Sequence, residues 1–407
     1  MNWTEKRRLI VVIILSIILF ASLIRYGNRV VKRNYCDFNI NYMAGERMLQ
    51  HENLYDFYKS GLANFKYPPF FACLMMPLAG LDEFWASIIW FIVNFILLVA
   101  ALRCMKNMIA NELSYGKGVL LYFLTTIISI RLIFNNFDEG QVNVLMMAGL
   151  IFSIYFLIKE RDLTAAYFFA FSALIKYMPL IMIPYFIFKR RYKFLIASSV
   201  FLVIYSLIPA IFIGWGYNLR LLKEFIPFVF SSSTDTGSLS TNPNQSLLAL
   251  LMRFLSKGPE SNVNFLDWPK SWIILIFAVI LAIFYLLIIL ERRPASRLSR
   301  LIDYGLILVC IALFNLNAWL HAFIFLIFGY MILLYYLIKI NFKDKFILGL
   351  LSISFIFNSF AVEMPVLPKD FFETYSAITL SALLVFCGLM KIKFGRTNLL
   401  LFDNKKG

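Results

Sequence analysis

Apolar runs of about 16–20 residues, rich in Leu, Ile, Phe and Val, recur along the chain between short basic connections. Backbone polar groups in lipid must be satisfied within their own segment or in a closed barrel. The runs lack the period-two alternation of a membrane barrel strand. Composition agrees, since 61% of the 407 residues are apolar and only 15% are charged. A soluble domain is about half apolar and about a quarter charged. The expected fold class is therefore an all-α polytopic membrane protein.

The basic residues orient the runs. Lys6, Arg7 and Arg8 precede the first run, so Leu9–Ile24 is expected to cross outward and to remain as a span, because Arg25 follows it instead of a small-residue cleavage site. Residues 25–67 then form an outer loop with amphipathic pieces such as Ile40–Gln50. Pro68–Leu81 is short for a span and reads as a re-entrant or interfacial helix opened by its Pro pair. Further crossings are expected at Phe84–Leu102, Gly118–Phe134, Gln141–Ile158, Leu163–Ile175, Tyr177–Phe188 and Phe194–Gly214. A second outer loop covers 215–270. Ser271–Leu290, Leu301–Asn317, Leu320–Ile338, Phe346–Ala361 and Phe371–Met390 follow. Inner segments then hold 24 of the 39 Lys and Arg, and 12 of the 15 outer ones fall in the two long loops. The short outer turns are nearly free of positive charge, which supports twelve crossings, one partial helix and both termini inside. The whole of 1–407 reads as one integral membrane domain.

The net charge of +16 is spread between apolar runs, with no basic domain to hold nucleic acid, so no nucleic-acid partner is expected. Cys36, Cys73, Cys104, Cys310 and Cys387 are scattered, and His51 and His321 are far apart. Neither a disulfide framework nor a metal site is expected. Asp-x-Asp does not occur, nor does a Gly-rich phosphate loop. Both absences disfavour a nucleotide-sugar donor.

The stretch Asp37–Leu81 carries the strongest signal. An acid at the mouth of so apolar a bundle is costly unless it is used. On the topology above, Asp37, Arg131, Asp138, Glu139, Gln141, Asn143, Lys176, Asn244, Gln245, Ser246 and His321 fall at outer ends of spans or in outer loops. A carboxylate, two cations and a histidine on one rim suggest an active site. Each has a plainer role too. Asp37 can pair with Lys32 or Arg33, and Arg131 can anchor a helix end. Lys176 can serve only as the joint of two half-helices. Asp138 and Glu139 can favour a helix N-terminus, while Gln141 and Asn143 can join helices. Asn244, Gln245 and Ser246 can cap the next helix. His321 can be a satisfied buried histidine, and Trp319 an interfacial belt residue.

The chain resembles the polyprenyl-phosphate-sugar-dependent C-type glycosyltransferases, and among them glycosyltransferase family 87. The matching pieces come in order: DFNINYMAGERML with LYD after it, YPPFFACLMMPLAGL, RLIFNNFDEGQVNVLMMAGL, ALIKYMPLIMIPYFIFKRR, NQSLLALLMRF, and Trp-x-His at Trp319 and His321. They run from Asp37 to about His321.

The resemblance implies a C-type fold of about 12 membrane helices with outer-face juxtamembrane helices. It implies inverting transfer of a hexose, often mannose, from a polyprenyl-phosphate donor to a lipid-linked or glycan acceptor on the outer side of the plasma membrane. The aspartate after the first span, Asp37, would be the general base. Lys176, Arg131 and His321 would hold the donor phosphate. Tyr67, Gln141, Asn143, Asn244, Gln245 and Trp319 would contact substrate. No cofactor is expected.

One departure is visible. The family usually has Gly in the turn before LYD, where this chain has His51-Glu52-Asn53, and Asn53 is expected to take the left-handed conformation. The chemistry fits the resemblance. An attacking hydroxyl must lose a proton, and a half-buried carboxylate can take it. A departing phosphate gains charge that Lys176 and Arg131 can neutralise. A flippase of lipid-linked sugars is the alternative, and it would spread polar residues through the membrane depth. A non-catalytic envelope scaffold is a third, and it gives no reason for Asp37, Lys176 and His321 to share a face.

Overall fold

The computed structural model describes residues 20–21, 24–26, 28, 37–55, 65–233, 241–256, 265–290, 296–359 and 371–395. Most of the expected first span Leu9–Ile24, and the tail after 395, lie outside them. The described residues contain helices and no strand. Six helices are long and apolar enough to cross a membrane: Glu83–Ile109, Tyr115–Asp138, Tyr192–Ile213, Lys270–Ile289, Leu320–Lys339 and Ala377–Phe394. Shorter apolar helices include Pro69–Ala79, Asn143–Ile158, Asp162–Ile175 and Lys345–Ser359. The protein is an all-α polytopic membrane protein.

The chain forms two compact units, interleaved in sequence. The first comprises 1–103, 134–180 and 192–232, and the second 104–133, 181–191 and 233–407.

In the first unit, helix α1 (Asp37–Leu49) packs on helix α2 (Pro69–Ala79). Gly45 makes the crossing possible. A Cβ there would lie 2.9 Å from the Met75 backbone, so only hydrogen fits. Tyr42 ties the same pair by donating its hydroxyl to the Leu81 carbonyl at 2.8 Å. Helix α2 opens on Pro69 at its first turn, where a missing N–H costs nothing. Its 11 residues rise about 16 Å, short of a hydrocarbon core of about 30 Å. A buried cluster of Phe70, Ala170 and Tyr205 packs α2 against helices α3 (Asp162–Ile175) and α4 (Tyr192–Leu207).

Two segments and one turn depart in kind from the sequence reading. The segment 215–270, read as a loop, contains helices Trp215–Ser233 and Leu247–Leu255. Leu221 and Phe228 are buried two turns apart in the first of these, while Arg220 is exposed. The last span is expected at Phe371–Met390. Instead a short helix, Phe371–Thr374, stops at Ser376 in the left-handed conformation (φ 54°), and the long helix is Ala377–Phe394. In the family-variant turn, His51 takes the left-handed conformation (φ 57°), not Asn53. Asn53 instead accepts a hydrogen bond from the Tyr55 N–H at 2.8 Å, closing an Asx turn.

In the second unit, Arg297–Leu313, Leu326–Lys339, Lys345–Ser359 and Ala377–Phe394 form a bundle. The Tyr330 hydroxyl lies 2.9 Å from those of both Ser354 and Ser381 at its centre. A buried charge node joins Asp303 to Lys393 at 2.7 Å, Lys189 at 3.9 Å and the Tyr185 hydroxyl at 3.1 Å.

Candidate active site

The first unit builds the site around the N-terminus of α1. Asp37 is its first residue, and the Phe38 N–H donates to the Glu139 carbonyl at 3.2 Å. This close approach needs Gly140. Its φ is +63°, and a Cβ there would meet Phe38 Cβ at 2.6 Å. The Trp90 indole N–H donates to the Gly140 carbonyl at 2.9 Å and fixes the turn. The turn delivers Gln141, whose side-chain amide donates to the Asp37 carboxylate. Two residues on, Asn143 opens the helix Asn143–Ile158. It is fully buried, and neither side-chain polar atom is hydrogen-bonded.

Lys176 comes from a different part of the chain. It adopts an extended conformation (φ −154°) and ends α3, as the joint before the 3-10 turn Met178–Met182. Its ammonium lies 5.8 Å from the centre of the Tyr67 ring. Burial lowers the Lys176 pKa to about 8; Asp37 opposes that fall and Lys66 adds to it. Burial raises the Asp37 carboxyl to about 6, Glu139 adds to the rise, and Lys176 and Lys66 counter it. Burial also pushes the Tyr67 phenol well up, followed by the charge of Asp37. Asp37, Tyr67, Gln141 and Lys176 therefore form one electrostatic neighbourhood. Asp138 sits at the C-terminal end of its helix, not at an N-terminus, and pairs with Arg25 at 2.8 Å.

The second unit holds the remaining candidates. Arg131 donates to the Asn358 carbonyl at 3.0 Å. Asn244 donates to the Leu316 carbonyl at 3.0 Å, and its amide oxygen accepts from the N–H groups of Ser246 and Ala318 at 3.1 Å each. Gln245 donates to the carbonyls of Asn242 at 2.6 Å and Glu373 at 2.8 Å. Both side chains thus knit their loop to its neighbours. Ser246 caps the next helix by accepting from the Ala249 N–H at 3.0 Å. His321 is buried beside Trp319, which is half exposed, with ring centres 6.3 Å apart.

Four residues here escaped the sequence reading. Lys66 is read as a loop charge until the Pro turn brings it near Asp37. Asn41, one turn after Asp37, is fully buried with no side-chain hydrogen bond. Asn94 lies inside an apolar run, where a lone amide gives no motif. Arg253 is fully buried and donates to the carbonyls of Thr241 at 2.8 Å and Asn244 at 2.7 Å, and to Ser376.

These features define a polytopic membrane protein with a half-buried acid, an amide and a lysine gathered at the ends of its helices. The chain belongs to glycosyltransferase family 87, whose family profile matches residues 65–314. It is also similar to the polyprenol-phosphate-mannose-dependent alpha-(1-2)-phosphatidylinositol pentamannoside mannosyltransferase of Mycobacterium tuberculosis (strain CDC 1551 / Oshkosh). Identity there is 26% over 128 residues, which is 30% of this chain. The match spans 30% of that relative's length.

Proposed function

We propose that this protein is a membrane glycosyltransferase that moves a hexose, mannose in the first instance, from a polyprenyl phosphate to a lipid-linked or glycan acceptor. The site lies on the extracytoplasmic side of the plasma membrane. The observation that carries this reading is the Asp37 carboxylate, held by the Gln141 amide and within electrostatic reach of Lys176, in a member of family 87.

In this scheme Gln141 orients the Asp37 carboxylate. An acceptor hydroxyl gives its proton to Asp37 while its oxygen bonds to the anomeric carbon. The bond from that carbon to the phosphate oxygen breaks, and the lipid phosphate leaves with the electron pair. Lys176 steadies the charge gained by the phosphate. A single displacement inverts the anomeric centre. The absence of Asp-x-Asp from the sequence favours a step without a metal. The same reading assigns phosphate binding to Arg131 and His321, and substrate contacts to Tyr67, Asn143, Asn244, Gln245 and Trp319.

The test uses full-length protein in lipid nanodiscs with polyprenyl-phosphate mannose and an extracted membrane glycolipid pool. Mass spectrometry should find a glycolipid heavier by one hexose. Movement of the donor between leaflets with no new glycosidic bond would sink the enzyme reading in favour of a flippase.

A further inference from the structure

The second unit buries a guanidinium that the transfer scheme leaves unused. Arg253 stands on helix Leu247–Leu255 and is fully buried. Its Nη1 donates to two carbonyls, of Thr241 at 2.8 Å and of Asn244 at 2.7 Å. Its Nη2 donates to the Ser376 hydroxyl. The Nε has no hydrogen-bond partner, so this cation is buried at a cost. Arginine can meet three acceptors on two sides because its planar fork spreads its donors in fixed directions. A lysine is a point charge and cannot.

Asn244 passes this hold on. Its carbonyl accepts from Arg253, and its side chain grips residues 316–318. The amide donates to the Leu316 carbonyl at 3.0 Å, and the amide oxygen accepts from the Ala318 N–H at 3.1 Å. The Gln245 N–H adds a bond to the Ala318 carbonyl at 2.7 Å. Ala318 directly precedes Trp319, the N-cap of the 3-10 turn Leu320–Phe325 that carries His321. The break before the last long helix is drawn into the same knot. Gln245 donates to the Glu373 carbonyl at 2.8 Å, and its own carbonyl accepts from the Thr379 hydroxyl at 2.5 Å. Ser376 holds a left-handed φ of 54°, uncommon for serine, and its hydroxyl ends on Arg253. The stretches 241–246, 316–318 and 373–379 are thus joined through one guanidinium and its neighbours.

We propose that Arg253 is a positioning residue for the Trp319–His321 segment, which it holds in place through Asn244 so that His321 meets the donor phosphate. This deepens the transferase reading and rests on it for the donor. Arg253 is fully enclosed and acts only through the groups it bonds. With the fork lost, residues 316–318 keep their bonds to Asn244, but Asn244 loses its own anchor. The segment then samples other positions, and the phosphate binds more weakly.

Two measurements on full-length protein in lipid nanodiscs test this. Hydrogen exchange read by mass spectrometry reports on the segment without substrate. In Arg253→Lys the peptide covering 314–321 should exchange about tenfold faster than in wild type, while the peptide covering 143–158 in the first unit should not change. Initial rates with polyprenyl-phosphate mannose should give a donor KM raised by about 3–10-fold, the worth of about one hydrogen bond, with kcat and acceptor KM close to wild type. A rise confined to KM marks lost donor binding. A smaller folded fraction would instead lower the apparent kcat and leave KM alone. If Arg253→Lys melts well below wild type, Ser376→Gly provides the comparison, because glycine accepts the left-handed backbone and only the hydroxyl is lost. Unchanged exchange at 314–321, or a fall in kcat with donor KM unchanged, would overturn the proposal. Wild type that transfers no hexose fails the transferase reading, and the exchange rates alone then decide whether Arg253 holds the segment.

Discussion

Gln141 donates its side-chain amide to the carboxylate of Asp37 across 104 residues of sequence. The bond locks one oxygen of the acid and leaves the other for an incoming proton. It also explains why Gly140 stands before Gln141, since only glycine lets the turn approach Phe38 so closely.

Replacing Asp37 by Asn keeps the shape and removes the base. Transfer should fall by about 10²–10⁴-fold, the usual worth of a positioned general base. Folding should survive. A carboxyl whose folded pKa, about 6 here, lies above its unfolded value disfavours the folded state once ionised. Stability contributed by this group is therefore lost as pH rises toward 6, and the neutral Asn escapes that loss. At pH 7.5 the variant should melt at or above the wild-type temperature. A lower melting temperature would mark Asp37 as structural.

The paired shifts set a pH profile. Asp37 must be ionised to accept a proton, so kcat/KM should rise as pH passes about 6. Lys176 must be charged to hold a phosphate, so the rate should fall above about 8. The expected bell lies between these limits, read by initial rates with donor and acceptor well below their KM values. A rate still climbing at pH 9 would remove Lys176 from the mechanism.

Lys176→Ala should weaken donor binding by about 10–100-fold, the worth of about 1.5–3 kcal/mol for a charge-assisted hydrogen bond. Titrating polyprenyl-phosphate mannose against both proteins measures it. Acceptor KM should move little.

The helical fold class was legible because lipid leaves so few choices for an apolar run. Asp37 and Lys176 were legible as charges out of place in such runs. Lys66 and Asn94 were not. A lysine in a loop has no pattern, and an amide within a span is indistinguishable from helix glue until its neighbours are known. The Asn244–Gln245 pair read as a possible substrate contact, yet its hydrogen bonds show how much of it holds the loop. The break at Ser376 is not legible in the sequence, because a left-handed serine leaves no trace in hydropathy. His51 rather than Asn53 took the strained position for a similar reason. The two positions are two residues apart, and nothing in their spacing marks His51, whose ring nitrogen lies 3.1 Å from the Ile213 carbonyl oxygen.

Gly45→Ala tests the helix crossing. The new methyl would meet Met75 backbone at 2.9 Å, and backbone cannot swing aside as a side chain can. Overpacking of this kind costs about 1–3 kcal/mol. The variant should melt several degrees lower, with activity falling in step because α1 carries Asp37. An unchanged melting curve would mean that the two helices part freely.

The buried charges in the second unit make an asymmetric prediction. Asp303 is nearly fully buried, with Lys393 at 2.7 Å and Lys189 at 3.9 Å. Asp303→Asn leaves the Lys393 ammonium, whose side chain is 4% exposed, with the Ile288 carbonyl but no counter-charge at hydrogen-bond distance. Removing one partner of a buried pair costs about 3–5 kcal/mol. Lys393→Met should cost less, because Lys189 and the Tyr185 hydroxyl still face the carboxylate. The double variant Asp303→Asn with Lys393→Met should recover part of the loss, since no uncompensated Lys393 charge then remains. Melting curves of the three proteins in one detergent decide the order. Equal losses in both single variants, or no recovery in the double, would show that the node does not act as a coupled pair.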